Sequence, residues 1–223
     1  MGVRTAAFVD GLNLYHGLRD EGFLKFRWLD IEGMVDSLAA DAGGSLGKSL
    51  DVTRVVYCTS LVANKQAARR QDIYLQALEQ HCARLEIRRG SYEEKVRECT
   101  GCGADVGFQT EKQTDVNLAV EMVMEAAKPE DQRADVQLLV TGDTDLLPAV
   151  GAVRSYGVQV VVVAPPARGL TREAFTTVAS RYLRVRRRHL RDHPLPDVVL
   201  RPTSGGGEYP LRPPNGWISP GDW

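Results

Sequence analysis

Residues 136–145 read VQLLVTGDTD, a short apolar run followed by glycine and two aspartates separated by one residue. An apolar run without polar alternation is typical of a strand buried on both faces. Gly142 permits a sharp exit from this strand. Asp143 and Asp145 then lie beyond its carboxyl end, where open parallel sheets bind ligands. Either could cap the following helix, but a cap needs one aspartate, and the second indicates a metal.

The rest of the chain repeats this alternation of short apolar strands and helices. Strands are predicted at residues 5–9, 52–59, 85–90, 136–140, 158–163 and 182–185. Helices are predicted after residue 10 and at residues 30–40, 66–85, 115–127 and 171–180, with loops at 42–49 and 91–111. The alternation predicts an α/β fold: an open, mostly parallel sheet of about five or six strands with helices on both faces.

Composition limits the classes of protein to consider. The 223 residues are 43% hydrophobic, which suits one globular domain with a real core, and the net charge of -1 does not by itself indicate a polyanion partner. No apolar run could span a bilayer, no signal peptide is evident, and four cysteines do not suggest a disulfide scaffold. We expect a cytoplasmic protein with no membrane partner, a domain at residues 1–190, and a Pro/Gly-rich extended tail at residues 191–223.

Aspartates occur at comparable places in three segments. Asp10 follows the first strand, Asp143 and Asp145 follow the fourth, and Asp115 begins a helix. If the first and fourth strands are neighbours, these carboxylates converge and repel, and a divalent cation would relieve the repulsion. Oxygen ligands suit Mg²⁺ or Mn²⁺, and such a metal makes phosphodiester hydrolysis the natural chemistry. Taken alone, Asp115 is more simply a helix cap and Asp10 a loop residue.

Three sequence blocks carry a resemblance to a known family. They read FVDGLNL at residues 8–14, EKQTDVN at 111–117 and VTGDTDL at 140–146. In this order they resemble the signature blocks of NYN domains, a branch of the PIN-like nucleases, and within it the LabA-like bacterial group. The resemblance implies a three-layer PIN-like fold and a Mg²⁺- or Mn²⁺-dependent ribonuclease site. It implies a metal site at Asp10, Asp115, Asp143 and Asp145, surrounded by Asn13, Lys112, Thr141 and Thr144.

Two residues of that surround also have plainer interpretations. Asn13 can position a metal-bound water, or it can make a hydrogen bond at the start of its helix. Lys112 can face a phosphate oxygen, or it can be a solvated surface lysine.

Basic residues follow the same predicted edge of the sheet. The candidates for holding an RNA backbone are Lys65, Arg69, Arg70, Arg168 and Arg172. A denser run comprises Arg181, Arg184, Arg186, Arg187, Arg188 and Arg191, which indicates either nucleic-acid binding or an arginine-rich edge strand. Tyr15, Tyr92 and Phe108 can stack on bases or pack at the rim of the core.

Cys99 and Cys102 have the spacing of a zinc knuckle, with glycines that allow its tight turn. A complete structural zinc site needs two further ligands, for which His81 and Cys82 are the nearest candidates. A second subunit is another source of ligands. The alternative is a free thiol pair on a loop.

The leading functional hypothesis is therefore a metal-dependent ribonuclease whose partner is RNA, most simply single-stranded. The alternative is a catalytically weak RNA-binding or regulatory module with the same groove. Leu12 argues against a phosphatase of the haloacid dehalogenase type, which needs an aspartate two residues after its nucleophile. A dinucleotide site is disfavoured because no G-x-G-x-x-G follows the first strand. The sequence leaves open whether the protein forms a homo-oligomer.

Overall fold

The structure is a computed structural model that describes residues 2–62, 64–98, 100–168, 172–219 and 221, and describes only the backbone of residues 91–98 and 106–112. The strands are β1 (Val3–Asp10), β2 (Leu50–Thr59), β3 (Leu85–Arg89), β4 (Ser91–Glu98), β5 (Asp105–Lys112), β6 (Val136–Val140), β7 (Gln159–Ala164), β8 (Arg181–Arg184), β9 (Val199–Pro202) and β10 (Glu208–Leu211). The helices are α1 (Gly11–Asp20), α2 (Ile31–Leu46), α3 (Lys65–His81), α4 (Thr114–Ala126), α5 (Leu147–Ser155), α6 (Arg172–Val178) and α7 (Arg187–Arg191).

Six parallel strands form the central sheet in the order β3-β2-β1-β6-β7-β8. Alternate residues of β1 point to opposite sides, with Ala7 and Val9 in one buried cluster and Ala6 and Phe8 in another. Helices α1, α2 and α3 cover the first side, and α4, α5 and α6 cover the second. The predicted three-layer α/β fold is confirmed, and β1 and β6 are neighbours.

Two segments predicted as loops are regular structure. Helix α2 continues to Leu46 and ends at Gly47, which has a left-handed φ of 65°. Gly43 lies in its last turns. A larger residue would not fit there, because a β-carbon would lie 2.5 Å from the carbonyl oxygen of Lys48. A polar loop was expected at residues 91–111, but residues 91–98 and 105–111 lie in the antiparallel hairpin strands β4 and β5. Cross-strand pairing, rather than an apolar pattern, defines that hairpin.

The C-terminal segment packs on the domain rather than running as an extended tail. Strands β9 and β10 form an antiparallel hairpin beside α3. Leu195, Val199 and Leu211 are buried in the same core cluster as α3. The indole N–H of Trp28 donates to the carbonyl oxygen of Pro196 at 2.8 Å. Apolar residues spaced between the prolines and glycines therefore anchor this segment. Among the described residues, no helix has the length and apolar character needed to cross a membrane.

Candidate functional site

Asp10 is the last residue of β1 and is buried, with 3% of its surface exposed. One carboxylate oxygen accepts a hydrogen bond from the backbone N–H of Asn13 at 2.9 Å, which caps α1. The other accepts from the hydroxyl of Thr141, directly after β6, at 3.1 Å. The two central strands therefore fix this carboxylate at their shared carboxyl edge.

Asn13 and Thr141 also hold the loop that follows β6. The side-chain oxygen of Asn13 accepts from the backbone N–H of Gly142 at 3.0 Å. The hydroxyl of Thr141 is buried and accepts from the backbone N–H of Asp143 at 3.1 Å. Asn13 thus binds the facing loop through its side chain and donates its backbone N–H to Asp10, the cap of α1. These links set the position of Asp143 relative to Asp10.

Gly142 is required at this loop for a reason that differs from the expected one. Its φ does not lie in the left-handed region, so a sharp exit is not the cause. A β-carbon at this position would lie 2.6 Å from the β-carbon of Arg168 and 3.2 Å from the side-chain oxygen of Asn13. Glycine allows these two segments to approach the site closely.

The two aspartates after β6 have different surroundings. Asp143 is half-buried and caps a short 3-10 helix, Thr144–Leu146, by accepting from the backbone N–H of Asp145 at 2.9 Å. Asp145 is exposed, and Thr144 is half-buried at the start of the same turn. Asp143 is therefore a helix cap, as the alternative interpretation expected, and its second carboxylate oxygen is not used in that cap. Asp145 lies outside the buried part of the site.

Asp115 reaches the site from the first turn of α4, where it is half-buried. It is not the helix cap, because Gln113 occupies that position with a left-handed φ of 78°. The hydroxyl of Thr114 lies 2.8 Å from the hydroxyl of Ser60, which follows β2, so a buried bond joins α4 to the same sheet edge. A non-glycine residue with such a φ is uncommon, and strained backbone of this kind clusters at functional sites.

The carboxylates of these three segments act on one another. Burial raises the pKa of Asp10 from 3.8 to about 7, against the effect of the hydrogen bond from Asn13. The charges of Asp115 and Asp143 contribute to this rise, and the bond from Thr141 opposes it. Neighbouring negative charges at a buried carboxyl are what a bound cation would neutralise.

The acidic side chains of this site are of the type that binds a divalent cation, but they are not arranged around a single point. Within the described part of the chain, no three His, Cys, Asp or Glu side chains are arranged to hold a metal ion. Asp10 and Asp143 retain acceptor capacity, because an ionised carboxylate has about four lone-pair sites. Oxygen donors suit Mg²⁺ and Mn²⁺. The residue types therefore fit such a cation, provided that Asp115 and Asp143 turn toward Asp10.

The predicted RNA-binding residues include exposed side chains and one that is engaged in an ion pair. Lys65 and Arg69 are exposed at the start of α3, and Arg172 is exposed at the start of α6. Arg168 forms an ion pair with Asp20 at 2.8 Å. The side chain of Lys112, like those of Tyr92 and Phe108, lies outside the described residues.

The dense arginine run begins on an edge strand, as the structural alternative proposed. Arg181 and Arg184 are exposed on β8, the outermost strand of the central sheet. Beyond it, Arg188 and the buried His189 both bind the carboxylate of Asp41, at 2.5 Å and 3.0 Å. This part of the run attaches α7 to α2.

Of the residues proposed for a zinc site, the described ones, His81, Cys82 and Cys102, are not grouped so that they could hold a metal ion. Cys99 lies outside the described residues, and Cys102 is exposed. Cys82 is buried, with its sulfur 3.4 Å from Asp30, and a ring nitrogen of His81 lies 3.5 Å from the same carboxylate. Since Asp30 caps α2, His81 and Cys82 are engaged there. The structural zinc remains a prediction.

One feature beside the acidic site was not anticipated from the sequence. A cavity of about 120 Å³ opens next to Asp10, with Gly11 and Thr59 on one side and aromatic residues around it. The aromatic residues are Tyr15, Tyr57, Tyr74 and Trp217. Of these, the sequence indicates only Tyr15 as a candidate for stacking, because the other positions share no spacing that points to a common site.

Comparisons with known proteins agree with this architecture. The family model described as NYN domain matches residues 4–186. The chain is 25% identical over 245 residues to 6-hydroxy-3-succinoylpyridine 3-monooxygenase HspA of Pseudomonas putida, a match that covers 96% of this chain and 75% of the relative. It also resembles the crystal structure of a Vibrio parahaemolyticus protein of unknown function, with a TM-score of 0.51 and 17% identity, covering 83% of this chain and 94% of that one.

Proposed function

Since the family match covers most of its length, the chain belongs to the NYN domain family, whose membership suggests nuclease-type hydrolysis, and we propose that it is a metal-dependent ribonuclease. The observation that carries this proposal is that Asp115 and Asp143, from two other segments, are close enough to the buried carboxyl of Asp10 to raise its pKa. A protein that only bound RNA would have no reason to concentrate negative charge against a polyanion.

Asp10, Asp115 and Asp143 are the residues that would hold Mg²⁺ or Mn²⁺. When bound, such a cation lowers the pKa of a water molecule and offsets the negative charge of the phosphodiester. Asn13 and Thr141 keep Asp10 and Asp143 in place through the hydrogen bonds of the two loops. Asp145 and Thr144 contribute from the rim, where Asp145 is open to solvent.

The RNA strand would approach across the same edge. Lys65 and Arg69 on α3 and Arg172 on α6 are exposed there and suit contacts with phosphate oxygens. Arg168, already paired with Asp20, shapes the loop against Gly142. A single strand is the proposed substrate, and the cytoplasm, where thiols such as Cys58 and Cys82 stay reduced, is the proposed location.

An RNA-binding module with weak catalysis is the second candidate. One observation favours it: among the described residues the acidic side chains are not arranged to hold a metal, and one oxygen of Asp143 caps a helix.

The monooxygenase reaction in the name of the Pseudomonas relative is a property of that protein and is not part of this proposal.

The first prediction compares Asp143→Asn with the parent protein on single-stranded RNA, with Mn²⁺, Mg²⁺ or EDTA. We expect cleavage by the parent with metal and none with EDTA. The substitution should slow cleavage about 100-fold or more, because metal-assisted charge stabilisation is worth several kcal/mol and each factor of ten is about 1.4 kcal/mol. Folding and RNA affinity should persist, since asparagine can still cap the short helix and one negative charge is lost.

Asp131→Asn is the matched control, because Asp131 is exposed on a loop away from the acidic site. It should cleave at the parent rate. Equal rates for Asp143→Asn and the parent would assign the activity to another site. RNA binding by all three proteins without cleavage in either metal would establish the binding module instead.

A further inference from the structure

The cavity beside Asp10 is built to take a flat ring. Tyr74 is fixed by a hydrogen bond from its hydroxyl to the carbonyl oxygen of Leu29 at 2.8 Å. Its ring centroid lies 5.7 Å from that of Trp217, and Trp28 supports Trp217 edge-on at 6.4 Å. The cavity's volume of about 120 Å³ is smaller than the cavity of about 150 Å³ that encloses benzene in another protein, but this pocket is open to solvent, so one flat ring could enter it without being fully enclosed.

Two guanidinium groups also line this pocket, those of Arg27 and Arg70. The guanidinium of Arg27 lies 4.8 Å from the ring centroid of Trp217 and donates to the carbonyl oxygens of Leu24 and Gly216 at 2.8 Å and 3.1 Å. Burial lowers the pKa of Arg27, and the nearby charge of Arg70 lowers it further. Among the described side chains, no ion pair joins either arginine to a carboxylate, so an anion would be stabilised between them.

The pocket and the acidic site share the first turn of α1. Gly11 and Leu12 line the pocket directly after Asp10, and Thr59 lines it at the end of β2. A β-carbon on Gly11 would lie 2.5 Å from the ring of Tyr57, so glycine keeps this turn against the aromatic wall. A molecule whose ring enters the pocket would therefore present its substituents at the edge that holds Asp10.

We propose that this pocket is a nucleotide subsite: it stacks the base of one RNA nucleotide on Tyr74 and Trp217, while Arg27 and Arg70 bind the phosphate of that nucleotide. The proposal rests on the ribonuclease function. Stacking of a base on an aromatic side chain is worth about 1–3 kcal/mol and tolerates any base. The subsite would therefore hold the strand beside the acidic site without selecting its sequence.

Gln71 lines the pocket and could in principle bind the edge of a base, but its side-chain hydrogen-bonding groups already have protein partners. The side-chain N–H groups of Gln71 donate to the hydroxyl of Thr59 and the carbonyl oxygen of Ser60, at 3.3 Å and 2.9 Å. Its side-chain oxygen accepts from the backbone N–H of Val62 at 2.9 Å. Gln71 thus supports the pocket wall, and we expect pyrimidine and purine nucleotides to bind with similar affinities.

The second prediction is tested by calorimetric titration of the metal-free, full-length protein with 5′-UMP, 5′-AMP, inorganic phosphate and pyridine-3-carboxylate. Arg70→Gln and Trp217→Leu should each weaken both nucleotides about tenfold, the equivalent of about 1.4 kcal/mol. Quenching of tryptophan fluorescence by the nucleotides should disappear in Trp217→Leu. Inorganic phosphate should bind more weakly than either nucleotide, since it lacks the ring.

Two controls match these variants. Arg212→Gln changes an exposed arginine and Tyr209→Leu an exposed aromatic residue of the same C-terminal segment, and neither residue lines the pocket. Both should bind nucleotides like the parent. If Trp217→Leu loses stability, Arg70→Gln decides alone, because Arg70 lies at the pocket mouth on a helix and buries no apolar ring.

Equal nucleotide affinity in the parent, Arg70→Gln and Trp217→Leu would overturn the subsite. So would tight, Arg70-dependent binding of pyridine-3-carboxylate without binding of nucleotides, which would assign the pocket to small heteroaromatic acids. Asp143→Asn separates the two proposals, since it should bind nucleotides normally while losing cleavage. Nucleotide binding that needs Arg70 and Trp217, in a protein that cleaves no RNA, would support the subsite and reject the hydrolysis.

Discussion

The two ends of α4 carry acidic side chains in opposite electrostatic situations. Near its C-terminal end, Glu121 and Glu125 lie 2.7 Å and 3.2 Å from the guanidinium of Arg54 on β2. In its first turn, the negative charge of Asp115 raises the pKa of the buried carboxyl of Asp10. One helix therefore carries, near one end, acids that are bound by an arginine and, at the other end, an acid that acts on a buried carboxyl.

The pKa directions follow from this difference. Burial alone would raise the pKa of Glu121, but hydrogen bonds from Arg88 and Arg54 outweigh it, so the pKa is lowered. Burial and neighbouring acids raise the pKa of Asp10 to about 7. The number of acidic residues does not distinguish a structural cluster from a functional one. The directions of their pKa shifts do.

The third prediction breaks the neutralised cluster and has the largest expected effect on stability. Arg54→Met would leave the side chain of Glu125, only 4% exposed, without its arginine partner. Removing one partner of a buried ion pair costs about 3–5 kcal/mol, and Lys128, which stays 2.6 Å from Glu125 but is 43% exposed, offsets part of that cost. Urea denaturation should show a lower midpoint with an unchanged slope.

Arg19→Met is the control for that experiment, because Arg19 pairs with Asp20 at the surface, where the two side chains are 51% and 35% exposed. Such pairs contribute about 1 kcal/mol or less. Similar midpoints for the two variants would mean that the Arg54 network does not stabilise α4, and the contrast between its two ends would fail.

The fourth prediction concerns the buried carboxyl of Asp10. Since the pKa of Asp10 is raised from 3.8 to about 7, the folded protein keeps a proton that the unfolded chain has released. This contribution to stability is complete below pH 4 and is lost as the pH rises through 7. Between pH 5 and pH 8 the metal-free protein should lose roughly 2–3 kcal/mol from this group.

Asp10→Asn removes the titrating group while keeping an acceptor for Asn13 and a partner for Thr141. The pKa values of His16 and His189 are lowered, so both titrate with the opposite sign, but they do so in both proteins and cancel in the difference. Stability measured against pH in EDTA should therefore fall more steeply for the parent. Parallel curves would show that Asp10 titrates normally, and added Mn²⁺ should flatten the parent's curve by favouring the ionised carboxylate.

The fifth prediction has the smallest effect and separates core from rim within the Arg54 network. Arg88 binds Glu121 and Glu86, but its side chain is 38% exposed. Arg88→Gln should lower the free energy of unfolding by less than about 1 kcal/mol, because solvent screens the pair and Arg54 still binds both acids. A loss as large as that of Arg54→Met would show that the network acts as one unit.

Local pattern in the sequence was sufficient for the sheet and the acidic edge. Apolar runs at residues 5–9 and 136–140 can be satisfied only between two helical layers. The aspartate after each run then lies at the carboxyl edge whichever strand becomes its neighbour. For this reason Asp10 and Asp143 could be assigned to one edge from the sequence, while their adjacency had to come from the pairing of β1 with β6.

Contacts between distant segments decided the rest. Arg54 meets Glu125 across 71 residues, and Trp28 meets Pro196 across 168. The C-terminal segment places Trp217 beside Tyr74, and no sequence spacing predicts that contact. The sequence by itself determined which residue types line each strand end, because that depends on neighbours a few positions away. Only the tertiary structure decided which charges are neutralised and which rings form a pocket, because both depend on packing between segments far apart in the chain.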